Sequence, residues 1–175
     1  MSAGRKNTDN NKEWGTPIKI INSVAILWNG EISLDPCSND YSLVKAKREI
    51  KLPLDGLKEN WGLYSTIFVN PPYGKDYERK TNIANWIEKC CETNWRYQNE
   101  VIALIPVATN TKHWKNYIWG KAKSICFLYD SRLKFLENGV ENKKGAPMAC
   151  CLVYWGKYPL SFKIHFSHLG YVTTI

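Results

Sequence analysis

The feature that most constrains this chain is a strand that stops abruptly. Ser65-Thr66-Ile67-Phe68-Val69 is a continuous apolar and β-branched run, the pattern of a strand buried on both faces of a parallel sheet. It leads directly into Asn70-Pro71-Pro72-Tyr73. Neither proline can donate to a sheet ladder, so pairing must end there. A chain built this way holds an interior strand whose carboxyl end carries a rigid, polar tetrapeptide.

The rest of the pattern supplies the layers around that strand. Thr16 predicts a helix N-cap with Pro17 at the first helical position. Ile18, Ile21, Val24, Ala25 and Trp28 then form a helical stripe, closed by Asn29-Gly30. Ile32-Ser33-Leu34 reads as a short strand stopped by Asp35-Pro36-Cys37. The stretch 41–57 has no clear period and leaves room for a short helix and a short strand near Arg48 to Leu52. Residues 74–80 read as a polar, mobile loop. Ile83, Trp86, Ile87, Cys90 and Cys91 mark an amphipathic helix, and a short helix is expected over 112–119. Further strands are expected at 101–107, 124–129 and 149–155, with a short alternating one at 162–166.

Strand–helix–strand alternation predicts an α/β sheet with helices on both faces. The last two long strands have no helical pattern between them. Their connection, Asp130 to Pro147, is polar and contains Gly and Lys, which predicts an antiparallel hairpin at the sheet edge with its loop free for a partner. The 175 residues fit a single domain at 13–175 behind a basic N-terminal arm at 1–12.

Composition narrows the function. Lys and Arg total 24 against 16 Asp and Glu, a net charge of +8, which favours an anionic partner. No apolar run is long enough to span a bilayer. The six cysteines include two adjacent doublets, Cys90-Cys91 and Cys150-Cys151. Neighbours on a strand or helix point different ways, so buried reduced thiols are expected rather than a metal site.

In open α/β sheets, ligands sit beyond the carboxyl ends of the strands. Asp35-Pro36-Cys37 and Asn70-Pro71-Pro72-Tyr73 both occupy such ends, and they line one crevice if their strands are neighbours. The second motif carries a chemistry. An aromatic amine is a poor nucleophile because its lone pair is delocalised into the ring. Acceptors that take a hydrogen bond from each N–H draw that lone pair out of conjugation. The Asn70 side-chain oxygen supplies one acceptor and the Pro71 carbonyl the other, its direction fixed by consecutive prolines. Tyr73 is placed to stack on the base. Catalysis of this kind is positioning plus electrostatics.

These residues resemble the catalytic tetrapeptide of amino-methyltransferases. From about Trp14 to about Tyr154 the chain is similar to the small phage and prophage DNA N6-adenine methyltransferase family, the phage Dam type. The landmarks are Trp14-x-Thr16-Pro17, Leu34-Asp35-Pro36-Cys37-Ser38, Asp55-Gly56-Leu57, Trp61, Phe68-x-Asn70-Pro71-Pro72-Tyr73, Thr111-x-x-Trp114, Arg132-Leu133-Lys134-Phe135 and Ala146-Pro147. Order and spacing together carry the resemblance.

The resemblance implies a Rossmann-like class I methyltransferase sheet, S-adenosyl-L-methionine as cofactor and DNA as partner. It implies a bacterial cytoplasmic setting and a monomer or weak homodimer. Trp14, Thr16 and Pro17 correspond to the segment over the methionine end of the cofactor. Asp35, Pro36 and Cys37 correspond to the cofactor loop, where a carboxylate can face the donor's ammonium group. Asp55 is the candidate for the adenosine, with Glu49 and Glu59 as competitors. Arg132, Lys134, Lys143 and Lys144 are candidates for DNA contact. The chain departs from larger methyltransferases in lacking Gly-x-Gly after Asp35, and no separate target-recognition domain fits its length. A short or relaxed target, read partly by 131–147 and reached by flipping the base, is expected. The residues also leave open amino-methylation of RNA or of protein glutamine, or a DNA-binding protein that kept the fold without the chemistry.

Overall fold

The computed structural model describes residues 14–130, 132–143 and 145–175. The 1–12 arm and Lys144 lie outside the described residues. Seven strands form one sheet in the order β2-β1-β3-β4-β8-β5-β9. They are β1 (Leu34–Asp35), β2 (Arg48–Glu49), β3 (Thr66–Val69), β4 (Glu100–Pro106), β5 (Ser124–Leu128), β8 (Cys150–Trp155) and β9 (Gly170–Thr174). The strands β6 (Leu136–Glu137) and β7 (Val140–Glu141) make a separate small hairpin. The pairings β1·β2, β1·β3 and β3·β4 are parallel, whereas β4·β8, β5·β8 and β5·β9 are antiparallel. All but β8 and β9 therefore run in one direction, and the sheet is mostly parallel.

Side-chain alternation divides the core between the two faces. On β4, Ile102 and Leu104 face the layer made by the helices α1 (Ile18–Leu27) and α4 (Pro159–Phe166). Val101, Ala103 and Ile105 face the layer made by α2 (Ile83–Tyr97) and α3 (Lys112–Tyr117). The period of two along β8 also separates its cysteine doublet: Cys150 lies in the first layer and Cys151 in the second. All six cysteines are free thiols. Among the described residues no helix is long and apolar enough to cross a membrane, and no group of three metal-ligating side chains occurs.

Several sequence expectations need correction. The β5·β8 pair is antiparallel as expected, but it is not an edge hairpin. β8 lies between β4 and β5, and β9 takes the edge. That edge pairing needs Gly170, where a Cβ would sit 2.2 Å from the Phe127 carbonyl oxygen. Residues 162–166 are helical, not extended. Phe162 and Phe166, one helical turn apart, both turn inward and stack at 4.2 Å, while Ile164 is exposed. The first helix begins one residue late: Pro17 is its N-cap, with no side-chain cap bond. Its buried side is Ile20, Ile21, Ser23 and Val24, so Ile18 points outward. The 74–80 loop is tied down. Asp76 and Thr81 exchange backbone hydrogen bonds at 2.8 and 3.1 Å. Arg79 pairs with Asp76 at 3.0 Å and donates to the Pro53 carbonyl at 3.2 Å.

Candidate active site

The strands that carry the two motifs are neighbours, with Leu34 opposite Ile67. Parallel pairing brings their carboxyl ends to the same side of the sheet, so Asp35-Pro36-Cys37 lies beside Asn70-Pro71-Pro72-Tyr73. The two motifs are close enough for the Asn70 backbone N–H to pull the Cys37 thiol's pKa down, against a larger opposing effect of burial. Burial pushes the Cys37 thiol up, and the charge of Asp35 adds to the effect. Cys37 is therefore a protonated packing group at neutral pH rather than a nucleophile.

The Asn70 side chain has one defined orientation. Its Nδ2 donates to the Trp14 carbonyl at 2.9 Å. That carbonyl can only accept, so the amide nitrogen must face it, and Oδ1 is left as an acceptor at the other end of the group. Trp14 is itself held. Gly15 and Leu136 exchange two backbone hydrogen bonds of 2.8 Å each. The Trp14 ring stacks on Phe135 at 5.1 Å with 16° between planes.

Tyr73 completes a three-ring cluster. It meets Trp14 edge-on at 6.4 Å and Phe135 edge-on at 5.8 Å. Its hydroxyl donates to the Leu104 carbonyl on β4 at 3.1 Å. Burial holds its phenol well above the ordinary tyrosine range. The ring is thus fixed at both ends, by a hydrogen bond into the sheet and by the cluster above it.

Asp35 is buried, and Cys37 N–H donates to its Oδ1 at 3.1 Å. Burial raises its pKa to about 7, the Cys37 N–H opposes the rise, and Glu49 reinforces it. Glu49 is opposite Asp35 in the β1·β2 register. One Glu49 oxygen pairs with Lys51 at 3.5 Å, and the other, Oε1, is buried without a hydrogen-bond partner. A buried carboxyl that titrates near neutrality and an orphaned acceptor side by side fit a ligand that brings positive charge and hydroxyl donors.

The other candidate carboxylates are committed elsewhere. Asp55 Oδ1 accepts from Leu57 N–H at 3.0 Å, and Glu59 accepts from the Tyr64 hydroxyl at 3.1 Å. Asp55 lines a separate surface groove of about 480 Å³ between its own turn and α2, which contains neither Asp35 nor Asn70. The Asp55-Gly56-Leu57 turn packs its backbone against Pro36. A Cβ on Gly56 would sit 1.8 Å from the Pro36 carbonyl oxygen. The turn is clamped from behind, because Trp61 donates to the Gly56 carbonyl at 2.8 Å and Lys89 donates to the Leu57 and Glu59 carbonyls.

Thr16 and Pro17 are buried just after the Gly15 bridge. The candidate DNA-contacting residues lie on the connection between β5 and β8. Leu133 and Phe135 point into the core, and Arg132 and Lys134 alternate outward. Lys143 is exposed, and Lys134 pairs with Glu141 at 3.4 Å. Ala146 N–H donates to the Leu133 carbonyl and Asn142 N–H to that of Phe135, so the connection folds back on itself.

The sequence profile described as DNA N-6-adenine-methyltransferase (Dam) matches residues 4–168. The chain belongs to this family. Neither curated proteins nor solved structures gave a match. The Dam match spans every element of the site, from Trp14 to Ala146, and stops before β9.

Two participants escaped the sequence reading. Phe135 appeared there as a landmark without a role, and Glu49 as a competitor to Asp55 for the adenosine. Glu49 is singled out by the β1·β2 pairing, and each of those strands is only two residues long. So short a strand leaves no period to read.

Proposed function

We propose that this protein transfers a methyl group from S-adenosyl-L-methionine to the N6 amino group of adenine in DNA. Family membership supports the reaction. The observation that carries the residue assignment is the fixed Asn70 amide, whose nitrogen is engaged by Trp14 so that Oδ1 is presented as an acceptor.

The strand order supports reading the sheet as a Rossmann-like class I methyltransferase arrangement within one domain, 13–175, with ligands at the carboxyl ends of β1 and β3. When bound, the cofactor supplies an electrophilic methyl group on a sulfonium centre. Asp35 would hold its ammonium group and Glu49 Oε1 its ribose hydroxyls, with Pro36, Cys37, Thr16 and Pro17 shaping the walls. The buried Asp35 carboxyl and the orphaned Glu49 Oε1 fit such a ligand. Asp55 supports the pocket by packing its turn against Pro36.

At the acceptor end, Asn70 Oδ1 and the Pro71 carbonyl take one hydrogen bond each from the adenine amino group. The nitrogen lone pair then leaves conjugation and is directed at the methyl donor. Pro72 keeps the motif rigid, and Tyr73 forms the floor against which the base rests. Charge builds on N6 in the transition state as an ammonium, and both acceptors stabilise it more strongly there than in the ground state. The proton leaves to solvent once the methyl is in place. A paired adenine must leave the duplex to reach this site, at a cost of roughly a few kcal/mol. Arg132, Lys134, Lys143 and Lys144 would hold the phosphates around it.

The test is transfer of labelled methyl from S-adenosyl-L-methionine to mixed-sequence DNA, with nucleoside analysis and Asn70→Ala alongside. A labelled N6-methyl-2′-deoxyadenosine peak from the wild type alone is expected. Transfer to RNA or protein glutamine instead would overturn the substrate assignment.

A further inference from the structure

Phe135 has no place in the chemistry just described, and its surroundings give it one. It sits on the connection between β5 and β8, immediately before β6. Three contacts lead from it to the Asn70 amide. Its ring stacks on Trp14. The next residue, Leu136, is bonded in both directions to Gly15, the residue after Trp14. The Trp14 carbonyl then receives Asn70 Nδ2 at 2.9 Å.

Residues 14–15 are held in this position from the side of the connection. The ring of Trp14 has Phe135 on its face and Tyr73 at its edge, and its backbone runs alongside Leu136. The same connection carries Arg132, Lys134 and Lys143 outward, while Leu133 and Phe135 anchor it inward.

We propose that Phe135 is a positioning residue for the reaction: through its stack on Trp14 it fixes the carbonyl that orients the Asn70 amide, and so joins the DNA-contacting connection to the catalytic motif. This inference rests on the proposed methyl transfer to DNA. If the Trp14 carbonyl shifts, Nδ2 loses its partner, the amide is free to rotate, and Oδ1 no longer points consistently at the substrate. The consequence falls on turnover. Cofactor contacts at Asp35 and Glu49 are on the other neighbouring strands, and phosphate contacts come from outward side chains that do not need the ring.

The test uses the full chain and compares Phe135→Leu, Trp14→Leu and Trp14→Phe. The two leucine variants remove the stack, and Trp14→Phe restores a flat ring. Trp14 is half-buried, so its variants keep the test alive should Phe135→Leu fold poorly. Misplacement of a catalytic group by a fraction of an ångström should lower kcat by about tenfold or more in both leucine variants. In Phe135→Leu the KM for DNA and the Kd for S-adenosyl-L-methionine should stay within about threefold of wild type, and Trp14→Phe should recover most of the kcat that Trp14→Leu loses. Adding Phe135→Leu to Asn70→Asp should lower kcat no further, because the amide that the stack positions is already gone. A purely structural role would make the two losses multiply, and that result overturns the proposal. So does a change confined to the KM for DNA. A wild-type protein with no transfer to DNA would instead remove the underlying function, and this inference with it.

Discussion

The side-chain amide of Asn70 donates to the main-chain carbonyl of Trp14, across 56 residues of sequence and 2.9 Å of space. This bond separates the two jobs an asparagine can do here. In the proposed mechanism the nitrogen is the structural end and the oxygen is the chemical end.

Replacing Asn70 tests that division. Asn70→Ala removes both ends and should lower kcat by about 10²- to 10³-fold or more, comparable to deleting a preorganised polar group elsewhere. Asn70→Asp keeps an acceptor oxygen but sets a second oxygen against the Trp14 carbonyl. It should retain measurable turnover where Asn70→Ala retains little. Cofactor affinity, followed by calorimetry, should change little in either variant. Loss of cofactor binding in Asn70→Ala would show that Asn70 belongs to the cofactor pocket instead.

Asp35 gives a pH dependence with a definite sign. Its pKa is raised from 3.8 to about 7, first by burial. Between those values the unfolded chain has released the proton and the folded chain keeps it. Stability therefore falls as pH rises through this window and levels off above about 7. Cofactor binding runs the opposite way, because a cationic ammonium group favours the ionised carboxylate. Affinity for S-adenosyl-L-methionine should strengthen from pH 6 to 8, with uptake near pH 6 releasing close to one proton. Calorimetry in two buffers of different ionisation enthalpy measures that proton. Asp35→Asn should flatten both profiles, and a profile unchanged in that variant would refute the assignment.

Gly56 and Gly74 make a paired prediction. A Cβ on Gly56 would meet the Pro36 carbonyl oxygen at 1.8 Å, whereas a Cβ on Gly74 meets nothing within 4 Å. The Gly56 collision is with backbone, and the turn cannot retreat because Trp61 and Lys89 hold it. Gly56→Ala should cost about 1–3 kcal/mol or more in denaturant unfolding and weaken cofactor binding by moving Pro36. Gly74→Ala should stay within about 0.5 kcal/mol of wild type. Equal effects at the two positions would mean that Gly56 is not held as described.

Much of this was legible in the residues, and the exceptions have physical causes. β3, β4, β5 and β8 are continuous apolar runs bounded by proline or polar residues, and each was placed within a residue or two. The tetrapeptide at the end of β3 and the Asp35 loop both lie where strand-end reasoning put them. Misreadings arose where one pattern serves two structures. Phe162, Ile164 and Phe166 alternate, yet Phe162 and Phe166 are also one helical turn apart, and Pro159 at the helix start was the arbiter. The position of β8 inside the sheet follows from long-range pairing with β4 that no local signal encodes. The Asp35–Glu49 and Trp14–Asn70 contacts likewise join segments through tertiary packing alone. The Dam family supplies the reaction, whereas these contacts supply the reason particular residues are suited to it.

The residues proposed to contact DNA make the last prediction. Each phosphate neutralised by a cation adds about 0.9 to the slope of log affinity against log salt on duplex DNA. Arg132 and Lys143 are exposed side chains on the connection between β5 and β8, while Lys134 is partly occupied by Glu141 at 3.4 Å. If Arg132 and Lys143 each hold a phosphate, the double variant Arg132→Ala, Lys143→Ala should lower the slope by about 2. Lys134→Ala alone should have a smaller effect, because Glu141 already offsets part of its charge. Glu141→Gln frees that lysine and should strengthen binding at low salt. Fluorescence anisotropy on a short labelled duplex across a salt series reads all three. A slope unchanged in the double variant would move the phosphate contacts off this connection, and with them the route by which bound DNA reaches Phe135.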